Sequence, residues 1–276
     1  MSEHLKIELC FSSEGRTILR GTMNRYSSSD IEELVNVGKA LDELALTGTT
    51  VVVSNDTFHS LFENNVTQLT EVALVHELSQ RYAEVFCPIL SFYNIYTLVA
   101  SDPGRGGRRV GTVVRNEKIG EEGEEYSLIE FKEHEYARFE GLKPLKIEPI
   151  HSQGAHTCLE IKGASSSDFH ISGDLIDICK MVDGLDLTHG HTVAVAGYAL
   201  GYDNLVAVTL AHKLARYYTE VLYPMRGNSQ KGLGFEDAGY VVVISDPAKD
   251  GRPVGTIVPT EEIGMSPEYP RVSCEQ

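Results

Sequence analysis

One stretch of fourteen residues occurs twice in this chain and constrains what the rest of it can fold into. Residues 101–114 read SDPGRGGRRVGTVV and residues 245–258 read SDPAKDGRPVGTIV, with nine identities at an offset of 144 and no gap. A chain that carries such a repeat is expected to be built from two related halves. Each copy follows an apolar run, IYTLVA (95–100) or YVVVIS (240–245), and leads into another. The pattern predicts strand, Asp-Pro turn, strand, with Gly107 and Gly251 able to take a positive φ. Asp102 and Asp246 then stand where a buried strand ends, the place at which α/β proteins tend to put their chemistry. Arg105, Arg108 and Arg109 follow the first aspartate, and Lys249 and Arg252 follow the second. A carboxylate beside several cations on a Gly-rich turn suits an anionic ligand.

The remainder of each half reads in a common order. In the first, LKIELCF (5–11) and RTILRGTM (16–23) form a hairpin. Ser29 with Glu32 makes a capping box ahead of a helix whose Leu34, Val37, Leu41 and Leu44 share one face. TTVVVS (49–54) is a short buried strand, and residues 66–86 read as a second helix with Asn65 as its cap and His76 at its middle. In the second half, CLEIKG (158–163) and FHISGDLI (169–176) read as the hairpin and DICKMVDGLDL as a shorter helix. HTVAVAG (191–197) is the buried strand, and residues 205–224 form a helix in which LAHKL places His212 where the first half has LVHEL. Each half is therefore predicted as a ββαβαββ unit, giving an α/β fold of two tandem repeats with mixed sheets, related by a pseudo-two-fold. The domains are residues 1–120 and 151–276, joined by a charged, Pro-terminated linker at 121–150.

Composition narrows the function classes. A length of 276 residues suits about two domains, each long enough to bury a core. The net charge of −16 argues against duplex DNA as a partner, because duplex binding relies on neutralising phosphates over a large surface. A small anion in a locally basic pocket remains allowed. No segment approaches the roughly 20 apolar residues of a membrane helix, and the polar start MSEHLK does not read as a signal peptide. Five scattered cysteines without a Cys-x-x-Cys motif point to a reducing cytoplasm rather than to a disulfide framework or structural zinc.

With these residues in hand, a resemblance can be stated. HISGDLI, HTVAVAG, LAHKL and VVVISDP, followed by a Gly and a further apolar strand, resemble the small CRISPR-associated ring nuclease of the Csx-three family. The resemblance covers most of residues 157–260 and extends through the repeat to residues 5–115. It implies a cytoplasmic antiviral-defence hydrolase that cleaves cyclic tetra-adenylate, the second messenger of type III CRISPR systems, supported by manganese and acting as a homodimer or higher stack. This chain would then be a tandem duplication, a dimer made covalent. The family's helix histidine matches His212 and, through the repeat, His76. Its turn aspartate matches Asp246 and Asp102, which are also the ligands if manganese is used. Its glycine after the buried strand matches Gly197, with Tyr198 in place of the following arginine. Arg105 and Lys249 stand one position beyond the family's arginine, and Tyr82, Tyr217 and Tyr218 occupy the region of its second histidine.

The expected roles follow. His76 and His212 are proton-transfer or metal groups, Asp102 and Asp246 are bases, metal ligands or orienters, and Arg105, Arg108, Lys249 and Arg252 contact phosphates. Tyrosines could stack on adenines. Each signal also has a plainer reading: Asp-Pro as a turn, the histidines as satisfied interior residues, the arginines as partners of the many carboxylates, the tyrosines as core. A non-catalytic sensor or sponge for the same cyclic oligoadenylate is the alternative function, and an oligomeric scaffold without nucleotide is a third.

Overall fold

A computed structural model of the chain describes residues 6–13, 16–22, 30–42, 44, 49–53, 65–89, 95–115, 146–153, 156–162, 171–185, 187, 190–196, 204–224, 240–245 and 249–258. These form two six-stranded mixed sheets with helices packed on them, an α/β fold. In the first sheet β1 (Lys6–Ser13) pairs antiparallel with β2 (Arg16–Thr22), which runs parallel to β3 (Thr50–Val53). β3 runs parallel to β4 (Glu84–Pro88), and β4, β5 (Ile95–Ser101) and β6 (Val113–Arg115) continue antiparallel. Helices α1 (Asp30–Asp42) and α2 (Asn65–Arg81) provide the crossovers that the two parallel pairings require.

The second sheet has the same order and the same directions. Its strands are β7 (Lys146–Gln153), β8 (His156–Lys162), β9 (Gly190–Ala196), β10 (Tyr218–Pro224), β11 (Tyr240–Ser245) and β12 (Ile257–Val258). α3 (Ile171–Gly184) and α4 (Asn204–Leu214) are its crossovers. Register irregularities fall at corresponding places, Leu9/Phe11 and Pro149/His151 in the hairpins, Val85/Phe86 and Val221/Leu222 at the centre.

Three sequence expectations change. The helices read over 66–86 and 205–224 end at Arg81 and Leu214, and the residues beyond them form β4 and β10, so each unit is ββαβαβββ. Both strands are central and buried on both faces, so they lack the period-2 alternation that separates a strand from a buried helix. The second hairpin is β7–β8; of the predicted strand 169–176, residues 171–176 open α3 instead and 169–170 lie outside the described residues. β7 consequently begins inside the segment assigned to the linker.

The core explains why the two long helices were hard to delimit. α1 buries Leu34, Val37 and Leu41, and α3 buries Leu175, Ile178 and Val182, one stripe each at helical spacing. α2 is different, for every residue from Leu69 to His76 is buried, as is every residue of α4 from Leu205 to Ala211. α2 packs on β4 and β5 of its own sheet, on α4, and on β11 of the other sheet. α4 packs reciprocally on β10 and β5. A helix covered all round shows no polar face in its sequence. One continuous hydrophobic cluster therefore includes residues of both halves, while Val52, Phe86, Tyr96, Leu98 and Val114 form a smaller cluster of their own. Among the described residues no helix is long and apolar enough to cross a membrane.

The first Asp-Pro turn is built by close backbone approach. Asp102 caps a single 3-10 turn over Pro103–Arg105, its Oδ1 accepting from Gly104 N–H at 2.9 Å. The positive φ falls on Gly106 (81°) and on its counterpart Asp250 (62°), with a second pair at Gly111 (86°) and Gly255 (88°). Gly107 is needed for a different reason from the one its sequence position suggests. A Cβ there would stand 2.6 Å from the carbonyl oxygen of Ala83 and 2.9 Å from that of Asp102, both backbone atoms that cannot rotate away. Gly107→Ala is therefore expected to cost about 1–3 kcal/mol. Gly106→Asn is expected to cost less than about 1 kcal/mol, since aspartate already holds the equivalent conformation. Urea denaturation of the two variants tests the contrast, and equal losses would contradict it.

Candidate functional site

The central feature of the site is that each helix histidine meets the strand end of the opposite half. His212 of α4 places Nε2 3.2 Å from the carbonyl oxygen of Ser101, the residue before Asp102. His76 of α2 places Nε2 3.2 Å from the carbonyl oxygen of Ser245, the residue before Asp246. A carbonyl oxygen only accepts, so Nε2 of His212 carries the hydrogen, and in the neutral ring Nδ1 holds the lone pair. Arg216, one helical turn beyond His212, donates from Nη2 to the same Ser101 oxygen at 2.9 Å.

Around this junction lies an open cleft of about 450 Å³, lined by Ser79 of α2, by Ser101, Asp102, Pro103 and Gly104 of the turn, by His212 of α4, and by Arg216 in the turn that follows α4. That is within the range of roughly 300–1,000 Å³ typical of small-molecule sites. Arg105 borders the turn. It is exposed, its Nε lies 3.2 Å from Asp102 Oδ2, and its Nη1 donates to Gln80 O at 2.9 Å. The cleft thus combines one exposed guanidinium, one carboxylate, one imidazole and two serines, with the exposed Arg105 guanidinium beside Asp102.

His212 is depressed from the ordinary 6.5 to about 4. Burial is the largest cause, followed by repulsion from Arg216, while the bond to Ser101 opposes the shift. His76 and Lys213 add further repulsion. The ring is accordingly neutral at pH 7. Because the folded state holds this proton less tightly than the unfolded chain, the stability it confers is full above about pH 6.5 and is lost as pH falls toward about 4. The loss is on the order of 2 kcal/mol after allowance for partial exposure. Urea midpoints followed from about pH 7 to about pH 5 are expected to fall in the native chain and to stay flatter in His212→Gln, which keeps an N–H donor without titrating. Parallel slopes would show that His212 does not bind its proton more weakly in the folded chain.

The remaining predicted residues divide. Arg108 and Arg252 are turned inward rather than toward a ligand. Arg108 donates from Nε and Nη2 to Glu84 Oε1 and Oε2, both at 2.8 Å, and its backbone N–H adds a third bond at 2.8 Å. Arg252 does the same to Glu220, with backbone N–H and Nε at 2.8 Å and Nη2 at 2.5 Å. Burial alone would raise these two carboxyls, but the arginines more than offset it and hold both below the usual carboxylate value. Thr50 and Thr192 complete each cluster at 3.3 and 3.4 Å. Each pair pins its turn to the start of β4 or β10, so the expected phosphate contacts are replaced by a buried fork-to-carboxylate clamp.

Lys249 is exposed beside its turn. Asp246 and Gly197 lie outside the described residues. Tyr82 and Tyr218 are core, 1% and 2% exposed, so neither can serve as a stacking platform, while Tyr217 is half-buried and donates to Asp183 at 3.0 Å.

Two classes of residue escaped the sequence reading. Glu84 and Glu220 sit in YAEV (82–85) and YTEV (218–221), a recurrence that was legible but fell inside stretches read as helix. Arg216 had no such signal, because the first half carries Gln80 at the matching position.

The donor set around Asp102 does not fit manganese. One carboxylate oxygen accepts from Gly104, the other faces Arg105, His212 presents an N–H, and Arg216 shares the cleft. A divalent cation favours several anionic or lone-pair donors and no adjacent guanidinium. Among the described residues no group of three or more His, Cys, Asp and Glu side chains is gathered. No protein-family model, curated protein or solved structure matches the chain.

Proposed function

We propose that this chain is a tandem-duplicated, pseudo-two-fold phosphodiesterase that binds a cyclic oligoadenylate and opens it, switching off type III CRISPR signalling in the cytoplasm. The resemblance of its motifs to the Csx-three ring nucleases supplies the ligand. The observation that carries the reading is the meeting of His212 from one half with the Asp102 turn from the other, in a cleft that also holds Arg216. A dimeric ancestor whose site lay between subunits would leave this pattern after duplication. A homodimer or higher stack of these chains would enclose the ring from both faces.

The chemistry needs no metal. The 2′-hydroxyl of a bound adenylate attacks the neighbouring phosphorus, the O2′–P bond forms and the P–O5′ bond breaks. The products are a 2′,3′-cyclic phosphate and a 5′-hydroxyl. The hydroxyl proton passes to Nδ1 of His212, and the departing O5′ takes one from water. A phosphate bound beside His212 favours its protonated form, raising its basicity above that of the empty cleft. Arg216 and Arg105 stabilise the charge that builds on the phosphorane oxygens, and Asp102 orients Arg105.

A second reading, a sensor or sponge that holds the ring intact, is favoured by the low basicity of His212 and by its bond to Ser101. Incubation with cyclic tri-, tetra- and hexa-adenylate, with and without manganese, separates the two. Linear product without metal supports the nuclease, tight binding without product supports the sensor, and no binding to any ring refutes both.

A further inference from the structure

The two composite sites have not stayed alike, and their difference lies where α2 and α4 end. His76 and His212 occupy matching positions in LVHEL and LAHKL, and each reaches the other half's strand end at 3.2 Å. Four residues further along, α2 has Gln80, and the turn that follows α4 has Arg216. The Gln80 amide lies 2.9 Å from Nε2 of its own histidine, whereas Arg216 reaches across to Ser101 O and lines the open cleft. The neighbouring positions differ in the same sense. α2 carries Glu77 and Arg81, which leave it without net charge there, whereas Lys213 at the end of α4 and Tyr217 just beyond it leave two positive charges with Arg216. Lys213 and Tyr217 both bond Asp183, at 2.7 and 3.0 Å, and Arg216 is near enough to help hold that carboxyl below its usual value while its Nη2 bonds Ser101 O.

We propose that the duplicated site has become one-sided: the chain holds a single phosphodiester subsite, formed by Arg216, His212 and the Asp102 turn, while the His76–Gln80 side has an amide in place of Arg216, has its helix cation Arg81 paired with Asp42, and binds no phosphate. Resting on the nuclease reading, this makes a cyclic tetra-adenylate open once, accumulating linear tetra-adenylate rather than a pair of dinucleotides. The anion asymmetry itself does not depend on cleavage.

Titration calorimetry with linear diadenylate, which carries one internal phosphodiester and no ring, tests the subsite directly. One diadenylate per chain is expected. Arg216→Gln is expected to weaken it by about 10-fold or more, and Arg216→Lys, which keeps the charge, to weaken it less. Gln80→Arg is expected to create a second subsite. Two equivalent subsites in the native chain, no binding, or an affinity indifferent to Arg216→Gln would overturn the proposal. A Gln80→Arg chain that still binds one diadenylate would equally refute the claim that the missing cation silences that side. Binding of one diadenylate by a chain that opens no cyclic adenylate would sink the nuclease reading and leave the one-sided subsite standing.

Discussion

Replacing Glu220 by alanine is expected to remove about 3 kcal/mol of folding stability, among the largest losses any single polar substitution in this protein would give. The Glu220 side chain is 1% exposed and accepts three bonds from Arg252, two from the guanidinium and one from the backbone. Its removal leaves the guanidinium facing an apolar hole at the start of β10, and the backbone N–H of the turn without its acceptor. Glu84→Ala should behave alike, because Arg108 and Thr50 surround that carboxylate in the same way and the Arg108 guanidinium also stands over the Phe86 ring at 5.3 Å. Guanidinium denaturation followed by circular dichroism gives the loss. The Glu220→Ala/Arg252→Ala double variant should lose less than the sum of its parts by more than about 1 kcal/mol, as coupled neighbours do. Additive losses would mean that the turn is held by something other than the clamp. Acid acts on the same pair, since a carboxyl held below its usual value gives stability above about pH 4.5 that disappears as pH falls through its folded value.

His212→Gln is expected to slow ring opening by about 10²–10⁴-fold, the usual contribution of a positioned general base, with ring affinity changed by less than about 10-fold. Glutamine can still donate to Ser101 O, so the junction between halves survives, but its amide cannot accept the hydroxyl proton. The fall should therefore appear in kcat rather than in KM. Turnover that persists in His212→Gln would reduce His212 to a staple joining α4 to β5, and would shift the search for a base to Asp102. His76→Gln, on the side where Gln80 stands in place of Arg216, should change kcat far less.

The division between what could be read and what could not follows physical lines. Repeated local chemistry was visible at once: the Asp-Pro turn, the stripes Leu34–Val37–Leu41 and Leu175–Ile178–Val182, and the histidine shared by LVHEL and LAHKL. Such features depend on neighbours within a few residues, and their spacing records them. Helix α2 and strand β4 ran together in the sequence because both are buried all round, so neither shows a polar face to mark its period. The role of Arg108 was open for the same reason. An arginine in a turn is equally suited to a phosphate and to a buried carboxylate, and only the register that brings Glu84 beneath it decides the matter.

The sequence by itself determined that one turn-bearing motif recurs, which stripes of α1 and α3 face a core, and which residues are chemically able to act. Tertiary structure alone decided which of them meet. His212 lies 111 positions from Ser101, and no local pattern encodes a contact across two sheets. It arises because α2 and α4 bury every side against both sheets at once. That packing pairs each histidine with the other half's strand end and places Arg216 in the cleft with Asp102.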